Sequence, residues 1–382
     1  MMLTESTFST EELARYSRHF SLPEVGLAGQ QRLQSARVLC VGAGGLGSPL
    51  LLYLAAAGIG TIGIVDDDVV DITNLQRQVL YTTADINEKK TKAAQARLQA
   101  LNPYVELVLH DTRLDHDNAL ELIAAYDVVA DGTDNFATRY LVNDACFHLQ
   151  KPNVHASIFQ FEGQCSVFTA PNGPCYRCLY DAPPPPGLIP NCAEGGVFGV
   201  LPGLLGTIQA TEVIKLLLGI GSPLIGKLLT VDALSMRFRQ LDLTQNPHCR
   251  LCAEHQDFAS LPHHNLGSCT MTTTENEVIP HITVQELAKL LQQQAKFTLL
   301  DVRDPYEYEI CNIQGKLLPL AELPERLDEL DKNLPMIVHC KAGPRSQRAA
   351  ALLQDAGFLS VCYLTGGILA WAREIDPSLQ TY

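Results

Sequence analysis

Short apolar runs alternate with helical segments in the first half of the chain. Arg37–Val41 and Thr61–Val65 are β-rich and as long as buried strands, and Ser48–Ala57 between them predicts a helix that Gly58 ends. Val128–Ala130 continues the series with another buried strand. Strands that alternate with helices are typical of an α/β fold with a parallel sheet.

The pattern changes in the middle of the chain. Phe161–Thr169 and Leu228–Asp242 predict strand pairs at an antiparallel edge, so the sheet should be mixed. Val197–Leu218 predicts a buried, glycine-rich helix that ends at Gly219. Polar residues interrupt this helix and argue against a membrane span: Gln209, Glu212 and Lys215.

A second domain is predicted near the carboxyl end. Residues 254–280 are largely polar and aperiodic, which predicts a linker. Beyond it, Met336–Val338 predicts a buried strand and Arg345–Gln354 a helix. We therefore expect a Rossmann-like domain with a mixed sheet over 1–253, followed by a smaller α/β domain over 281–382.

Composition narrows the function classes. The chain has 382 residues, 46% of them hydrophobic and 18% charged, as in a soluble globular protein. A net charge of -14 disfavours nucleic acid and anionic membranes as partners, because both are polyanions. No signal peptide is visible in the polar first residues, and twelve cysteines in such a chain favour metal or catalytic uses over disulfides. We expect a cytoplasmic protein.

A nucleotide site is predicted where the first strand ends. Gly42–Gly47 is a glycine-rich turn between strand and helix, so bare backbone can approach a phosphate at the helix N-terminus. Asp66, at the end of the second strand, is placed to accept hydrogen bonds from ribose hydroxyls. These features fit NAD and ATP equally. The cations Arg77 and Lys90 favour a triphosphate, and Asp134, after another strand, can hold Mg²⁺.

Four cysteines have the spacing of a metal site. Cys175 and Cys178 form one CxxC pair, and Cys249 and Cys252 form another. Two such pairs complete a closed tetrahedral shell of thiolates, which predicts structural Zn²⁺. An iron–sulfur cluster, or a redox dithiol at either pair alone, remains an alternative.

Cys340 is the candidate nucleophile. It lies between a predicted strand and a predicted helix, where backbone N–H groups and the helix dipole favour a thiolate. Lys341 and Arg345 add positive charge, and Arg345 with Ser346 could hold an oxyanion. The alternative is an ordinary buried cysteine.

The segments from Glu11 to Ala253 resemble the MoeB/ThiF group of adenylyltransferases of molybdopterin and thiamine biosynthesis, relatives of ubiquitin-activating enzymes. The resemblance implies that Gly44 and Asp66 contact ATP, that Asp134 handles the metal, and that Arg18 reaches into the site of a second subunit in a homodimer. It also implies that the phosphates meet Asn74, Arg77 and Lys90. The remaining nucleotide-site residues implied are Thr73, Leu75, Gln76 and Asn135.

The segment His281–Tyr382, with Leu299–Tyr308 and the Cys340 loop, resembles the rhodanese sulfurtransferases, which implies that Cys340 carries a persulfide. Cys192, after a proline-rich stretch, matches a sulfur-handling cysteine of the first family, although an incidental loop cysteine is the alternative. Together the resemblances imply ATP-dependent adenylation of a MoaD- or ThiS-like sulfur carrier that ends in Gly-Gly. Sulfur from thiosulfate or a cysteine desulfurase would then give the thiocarboxylate.

Two other functions stay open from the sequence. One is a ubiquitin-like conjugation enzyme that passes its carrier as a thioester on Cys192. The other is a non-enzymatic scaffold, against which the set of Arg18, Arg77, Lys90 and Asp134 argues.

Overall fold

The computed structural model describes residues 8–169, 173–183, 196–261 and 279–381. The chain divides into two compact units, Met1–Ser268 and Cys269–Tyr382. The division falls within the predicted linker 254–280, and the domain bounds themselves stay a prediction.

One sheet forms the centre of the first unit. Its strands are β1 (Arg37–Val41), β2 (Thr61–Val65), β3 (Glu106–His110), β4 (Val128–Asp131), β5 (Asn153–Phe159), β6 (Glu162–Phe168), β7 (Lys227–Asp232) and β8 (Arg237–Asp242). Their order is β3-β2-β1-β4-β5-β6-β7-β8. The pairings from β3 to β5 are parallel and those from β5 to β8 are antiparallel. The predicted mixed sheet is confirmed.

Helices cover this sheet. They are α1 (Thr10–Arg15), α2 (Ser17–Phe20), α3 (Gly26–Ser35), α4 (Gly47–Ala57), α5 (Lys90–Leu101), α6 (Ala119–Ala124), α7 (Phe136–His148), α8 (Tyr176–Leu179) and α9 (Val200–Leu218). α4 and α9 end as the sequence predicts, at Gly58 and Gly219, both in the left-handed conformation. The core lies between these two helices and the sheet, and includes Leu50, Leu54, Leu205 and Val213.

Polar side chains of α9 bind the backbone of their own unit. Gln209 donates to the carbonyl oxygens of Asp131 (2.8 Å) and Val154 (3.0 Å), and Glu212 accepts from the Leu224 N–H (2.8 Å). Among the described helices, α9 is the one long and apolar enough to cross a membrane, and 44% of its apolar window is buried within the protein. The polar contacts fit a core helix.

The described part of the second unit, residues 279–381, contains five strands, all in parallel pairings. They are β9 (His281–Ile282), β10 (Thr298–Asp301), β11 (Lys316–Leu317), β12 (Met336–His339) and β13 (Val361–Leu364), in the order β11-β10-β12-β13-β9. The helices are α10 (Val284–Gln292), α11 (Pro305–Ile310), α12 (Pro344–Asp355) and α13 (Gly367–Glu374). The predicted smaller α/β domain is confirmed.

Two glycines of α9 provide a matched test of the packing between α9 and α4. A Cβ at Gly206 would lie 2.4 Å from the Leu46 carbonyl oxygen, whereas a Cβ at Gly203 would meet nothing within 4 Å. We expect Gly206→Ala to lower the free energy of unfolding by about 1–3 kcal/mol, because the helices must separate. Gly203→Ala should raise it by about 0.5–1 kcal/mol through helix propensity. Equal effects in denaturant unfolding would contradict the close helix contact.

Candidate functional site

A cleft of about 340 Å³ opens in the first unit at the carboxyl ends of β1, β2 and β4. In an open parallel sheet, this edge is where ligands bind. Six residues of the predicted nucleotide site line the cleft: Gly44, Asp66, Arg77, Lys90, Asp134 and Asn135. They come from the three connections that follow β1, β2 and β4, and Lys90 is the first residue of α5.

Asp66 is fixed at the end of β2 by backbone groups. Its Oδ2 accepts from the Ala43 N–H (2.8 Å) and its Oδ1 from the Asp68 N–H (3.0 Å). Burial raises the pKa of this carboxyl, while nearby Lys90 and the two N–H groups act in the opposite direction. Asp66, Asp67 and Asp68 present oxygens within 4.8 Å of one another, a donor set that suits Mg²⁺.

The two predicted phosphate cations have different surroundings. Lys90 is buried, and its Nζ lies 2.7 Å from Asp68 Oδ2. Arg77 is half-buried, and its Nη1 donates to the Thr73 carbonyl oxygen (3.0 Å). In this structure Lys90 is therefore already paired with a carboxylate, and a phosphate that binds it must compete with Asp68.

Several predicted residues lie outside the lining of the cleft. Thr73, Asn74, Leu75 and Gln76 belong to the turn before Arg77, where Asn74 and Thr73 bond to Asp71. Arg18 is exposed on α2 and does not line the cleft of its own chain. Asn135 lines the cleft and also caps α7, because its Oδ1 accepts from the Thr138 N–H (2.9 Å).

Sequence reasoning missed two buried residues of the cleft, Gln78 and Arg139. Gln78 Oε1 is buried without a hydrogen-bond partner. Arg139 donates through Nε (3.3 Å) and Nη2 (3.2 Å) to the Thr133 carbonyl oxygen. The available signal for Arg139 is its position four residues after Asn135, which puts both on one face of α7.

A buried acid–histidine pair supports the β4 side of the cleft. His155 Nδ1 lies 2.9 Å from Asp131 Oδ2, and Asp131 Oδ1 accepts from the Thr133 hydroxyl (2.6 Å). Burial lowers the pKa of His155, so the neutral ring donates through Nδ1–H. Burial alone would raise the pKa of Asp131, but the hydrogen bonds from His155 and Thr133 outweigh it and the pKa is lowered.

The four predicted metal ligands converge. Their sulfur atoms all lie within 4.8 Å of one another. Cys175 Sγ is 3.8 Å from Cys178 Sγ and 3.6 Å from Cys249 Sγ, and Cys178 Sγ is 3.2 Å from Cys252 Sγ. Zn–S bonds of about 2.3 Å in a tetrahedron put sulfurs about 3.8 Å apart, so the cluster fits Zn²⁺.

The first CxxC pair is anchored to α7. Between its cysteines, the Tyr176 N–H donates to Asn143 Oδ1 (2.7 Å), and Arg177 forms a bidentate pair with Asp144 (2.8 and 2.7 Å). The first turn of α7 lines the nucleotide cleft. The metal site and the cleft are thus connected through one helix.

Cys340 lies where the sequence predicts, between β12 and α12 of the second unit. Its side chain is 1% exposed, and Sγ accepts from the Gly343 N–H (3.1 Å). The Ile368 N–H donates to the Cys340 carbonyl oxygen (2.9 Å), and a Cβ at Gly367 would lie 2.5 Å from the same oxygen. The start of α13 therefore holds the loop closely.

Arg345 and Ser346, which the sequence offers as ligands of an oxyanion, both have hydrogen-bond partners within their own unit. Arg345 forms a bidentate pair with Glu307 (2.5 and 2.7 Å), which is 1% exposed. The Ser346 hydroxyl donates to the Gly343 carbonyl oxygen (2.8 Å). Both side chains therefore donate to acceptors of the protein, the Glu307 carboxylate and the Gly343 carbonyl oxygen, and these bonds stabilise the Cys340 loop.

A second buried ion pair fixes the segment between β10 and α11. Arg303 forms a bidentate pair with Asp301 (2.9 and 2.6 Å) and donates to the Cys311 carbonyl oxygen (2.8 Å). His339, beside Cys340, is completely buried, and burial lowers its pKa to about 4 despite nearby Asp301.

The remaining cysteines fall into three groups. Cys40, Cys146 and Cys165 are buried, and burial raises the pKa of each thiol. Cys311 is buried and Cys362 is half-buried. Cys192 and Cys269 lie outside the described residues.

The fold and the sites define a two-domain α/β protein that joins a nucleotide-type cleft to a cysteine loop. The chain belongs to the ThiF family, whose model matches residues 16–251, and residues 283–374 match the Rhodanese-like domain. "Probable adenylyltransferase/sulfurtransferase MoeZ" of Mycobacterium tuberculosis is 46% identical over 99% of this chain and 97% of its own length.

Other relatives cover the whole chain or its first unit. "Adenylyltransferase and sulfurtransferase MOCS3" of Mus musculus is 42% identical over 99% of this chain and 89% of its own length. "Sulfur carrier protein adenylyltransferase" of Thermus thermophilus is 54% identical over 65% of this chain and 93% of its own. The crystal structure of E. coli MccB with ATP has a TM-score of 0.55 at 22% identity, over 62% of this chain and 74% of that one, and so shares the fold.

Metal removal tests the four-cysteine site. Elemental analysis of the purified protein should find about one zinc per chain, the content of one such site. A chelator that strips it should lower the thermal midpoint of the first unit without a selective loss of one chemical step, because a closed thiolate shell contributes folding free energy and has no open position. Iron in place of zinc, or an unchanged midpoint after metal removal, would contradict this assignment.

Proposed function

We propose that this enzyme adenylates the C-terminal glycine carboxylate of a small ubiquitin-like sulfur carrier and then converts it to a thiocarboxylate. One observation carries the proposal. A single chain contains a nucleotide cleft with Asp66, Arg77 and Asp134 and a loop-held Cys340, in the two family domains that its full-length relatives share.

The first step belongs to the cleft. The carrier carboxylate attacks the α-phosphorus of ATP, and pyrophosphate leaves with the electron pair of the broken P–O bond. Asp66 accepts from the ribose, the turn at Gly44 approaches the phosphates, and Arg77 and Lys90 stabilise their charge. Mg²⁺, held by Asp134, would neutralise phosphate charge.

A homodimer completes the site in this proposal. Arg18 is exposed on α2 and outside the cleft of its own chain, so it is available to a second copy. Thr73, Asn74, Leu75 and Gln76 lie beside Arg77 in sequence and would close around the triphosphate after a local rearrangement of their turn.

The second step belongs to Cys340. A thiosulfate sulfur or a desulfurase persulfide is transferred to the Cys340 thiolate, and sulfite or the donor thiol leaves. The outer sulfur of this persulfide attacks the acyl-adenylate carbonyl, AMP leaves, and an acyl disulfide forms. Cys192 thiolate then attacks Cys340 Sγ, which releases the thiocarboxylate and leaves a Cys192–Cys340 disulfide for a cellular dithiol to reduce.

The alternative is conjugation through a Cys192 thioester. No described feature favours it, since it leaves the Cys340 loop without a role. The cytoplasm remains our predicted compartment, and thiosulfate or a cysteine desulfurase the predicted donor.

Substitutions in the cleft test the assignment of the two reactions to separate units. Arg77→Ala or Asp134→Ala should abolish carrier-dependent ATP–pyrophosphate exchange, because the phosphates lose charge compensation. Thiosulfate-to-cyanide sulfur transfer should remain at the wild-type rate. Arg97→Ala, at an exposed position of α5, is the matched control. Loss of both activities in a folded variant would show that the reactions are not separable in this way.

Cys340→Ser tests the joined pathway. A hydroxyl of nearly the same shape cannot carry a persulfide, so exchange should persist while thiocarboxylate formation stops. Mass spectrometry of the carrier gives the readout. Thiocarboxylate at the wild-type rate would exclude Cys340 as the donor, and a persistent thioester on Cys192 would favour conjugation.

A further inference from the structure

Two arginines near the nucleotide cleft are both buried but differently paired. Arg139 is 7% exposed and Arg177 is 2% exposed. Each guanidinium lies over an aromatic ring, at 5.3 Å from the Phe136 centroid and 4.7 Å from the Tyr140 centroid respectively. Arg177 is neutralised by the bidentate pair with Asp144.

Arg139 has no such counterion. Among the described residues, no carboxylate oxygen lies within 4.0 Å of its guanidinium. Its hydrogen bonds go to neutral groups, the Thr133 carbonyl oxygen at 3.2 and 3.3 Å and the Tyr176 hydroxyl. Asp131 is close enough for the charge of Arg139 to contribute to lowering its pKa, but the two Asp131 oxygens already accept hydrogen bonds from Thr133 and His155. A guanidinium has five N–H donors, so several remain available.

The position of Arg139 indicates where an anion would bind. It lines the cleft, and a buried cation without a paired anion is costly unless a ligand supplies the charge. In the proposed reaction, Arg77 and Lys90 serve the phosphates. The incoming carboxylate is the remaining anion, and no described cation has been assigned to it.

We infer that Arg139 binds the C-terminal carboxylate of the carrier and orients it for attack on the α-phosphorus. The inference rests on the proposed adenylation. It assigns to Arg139 the selection of a carrier whose C-terminal carboxylate is free. Arg139 comes from the first turn of α7, on the side of the cleft formed by β4 and β5 with Ile158 and Val197. A planar guanidinium suits a carboxylate because two parallel N–H donors match its two oxygens.

Binding of two forms of one carrier tests the contact directly. The carrier that supports exchange with the wild-type protein is prepared with a C-terminal carboxylate and with a C-terminal carboxamide. Calorimetry on the full-length wild-type protein should show the carboxylate form binding about 10- to 100-fold more tightly, as for a charged hydrogen bond. Arg139→Gln should remove this preference, and Arg139→Lys should keep part of it because the charge remains. A preference that survives Arg139→Gln would overturn the inference.

Kinetics and nucleotide binding distinguish the carboxylate from a phosphate. In pyrophosphate exchange, Arg139→Gln should raise the KM for the carrier about 10- to 100-fold. Its affinity for the ATP analogue AMP-CPP with Mg²⁺, measured without carrier, should stay within about 2-fold of wild type, a difference of less than 0.5 kcal/mol. An equal loss of analogue affinity would assign Arg139 to a phosphate and overturn the carboxylate assignment.

Thermal stability distinguishes a ligand-binding role of Arg139 from a purely structural one. Arg139→Gln should keep the thermal midpoint of the unliganded protein within about 2 °C of wild type, because glutamine can still donate to Thr133. Arg177→Gln should lower it clearly, since Asp144 is left buried and unpaired. Equal falls in midpoint would make Arg139 a structural residue. Absence of exchange with every carrier in the wild-type protein would instead refute the proposed adenylation itself.

Discussion

Repulsion between anions is the constraint on which both sites depend. A triphosphate and a carboxylate must approach each other in one cleft of a protein with net charge -14, and a persulfide anion must be held in the other unit. Positive groups must therefore be fixed locally, since the overall field opposes these ligands. Backbone N–H groups, helix N-termini and arginines provide this positive charge, and the protein controls which arginines remain available.

Near the two sites, carboxylates hold three arginines in bidentate pairs. Arg177 pairs with Asp144, Arg303 with Asp301, and Arg345 with Glu307. Such pairs fix orientation more than they add stability, because desolvation offsets most of the attraction. The three pairs lie beside the metal cluster, the end of β10 and the Cys340 loop respectively. Arg139 is also buried but has no carboxylate partner among the described residues, and for this reason we assign it to ligand binding and the other three to support of the fold.

The sequence predicts the parts of this arrangement that depend on local order. A strand, a glycine turn and a helix place Gly44, Asp66 and Asp134 at one sheet edge, and two CxxC spacings place four sulfurs together. Pairings between distant segments leave no such signal. Glu307 lies 38 positions before Arg345, so the sequence does not reveal that this carboxylate neutralises the Arg345 guanidinium in the fold. Arg139 was missed for the opposite reason, because an arginine inside a helix usually faces solvent.

Burial of Cys340 sets the chemical order of the second reaction. Cys340 is 1% exposed, the Gly343 N–H of its own loop donates to Sγ, and the start of α13 binds its carbonyl oxygen. A bulky acyl-adenylate cannot easily reach that sulfur, so a direct thioester on Cys340 is disfavoured. A persulfide places the nucleophilic atom one S–S bond, about 2.05 Å, beyond Sγ. In the proposed pathway, a small sulfur donor would therefore load Cys340 before the carrier reacts, and the acyl group and the protein thiol would meet as an acyl disulfide.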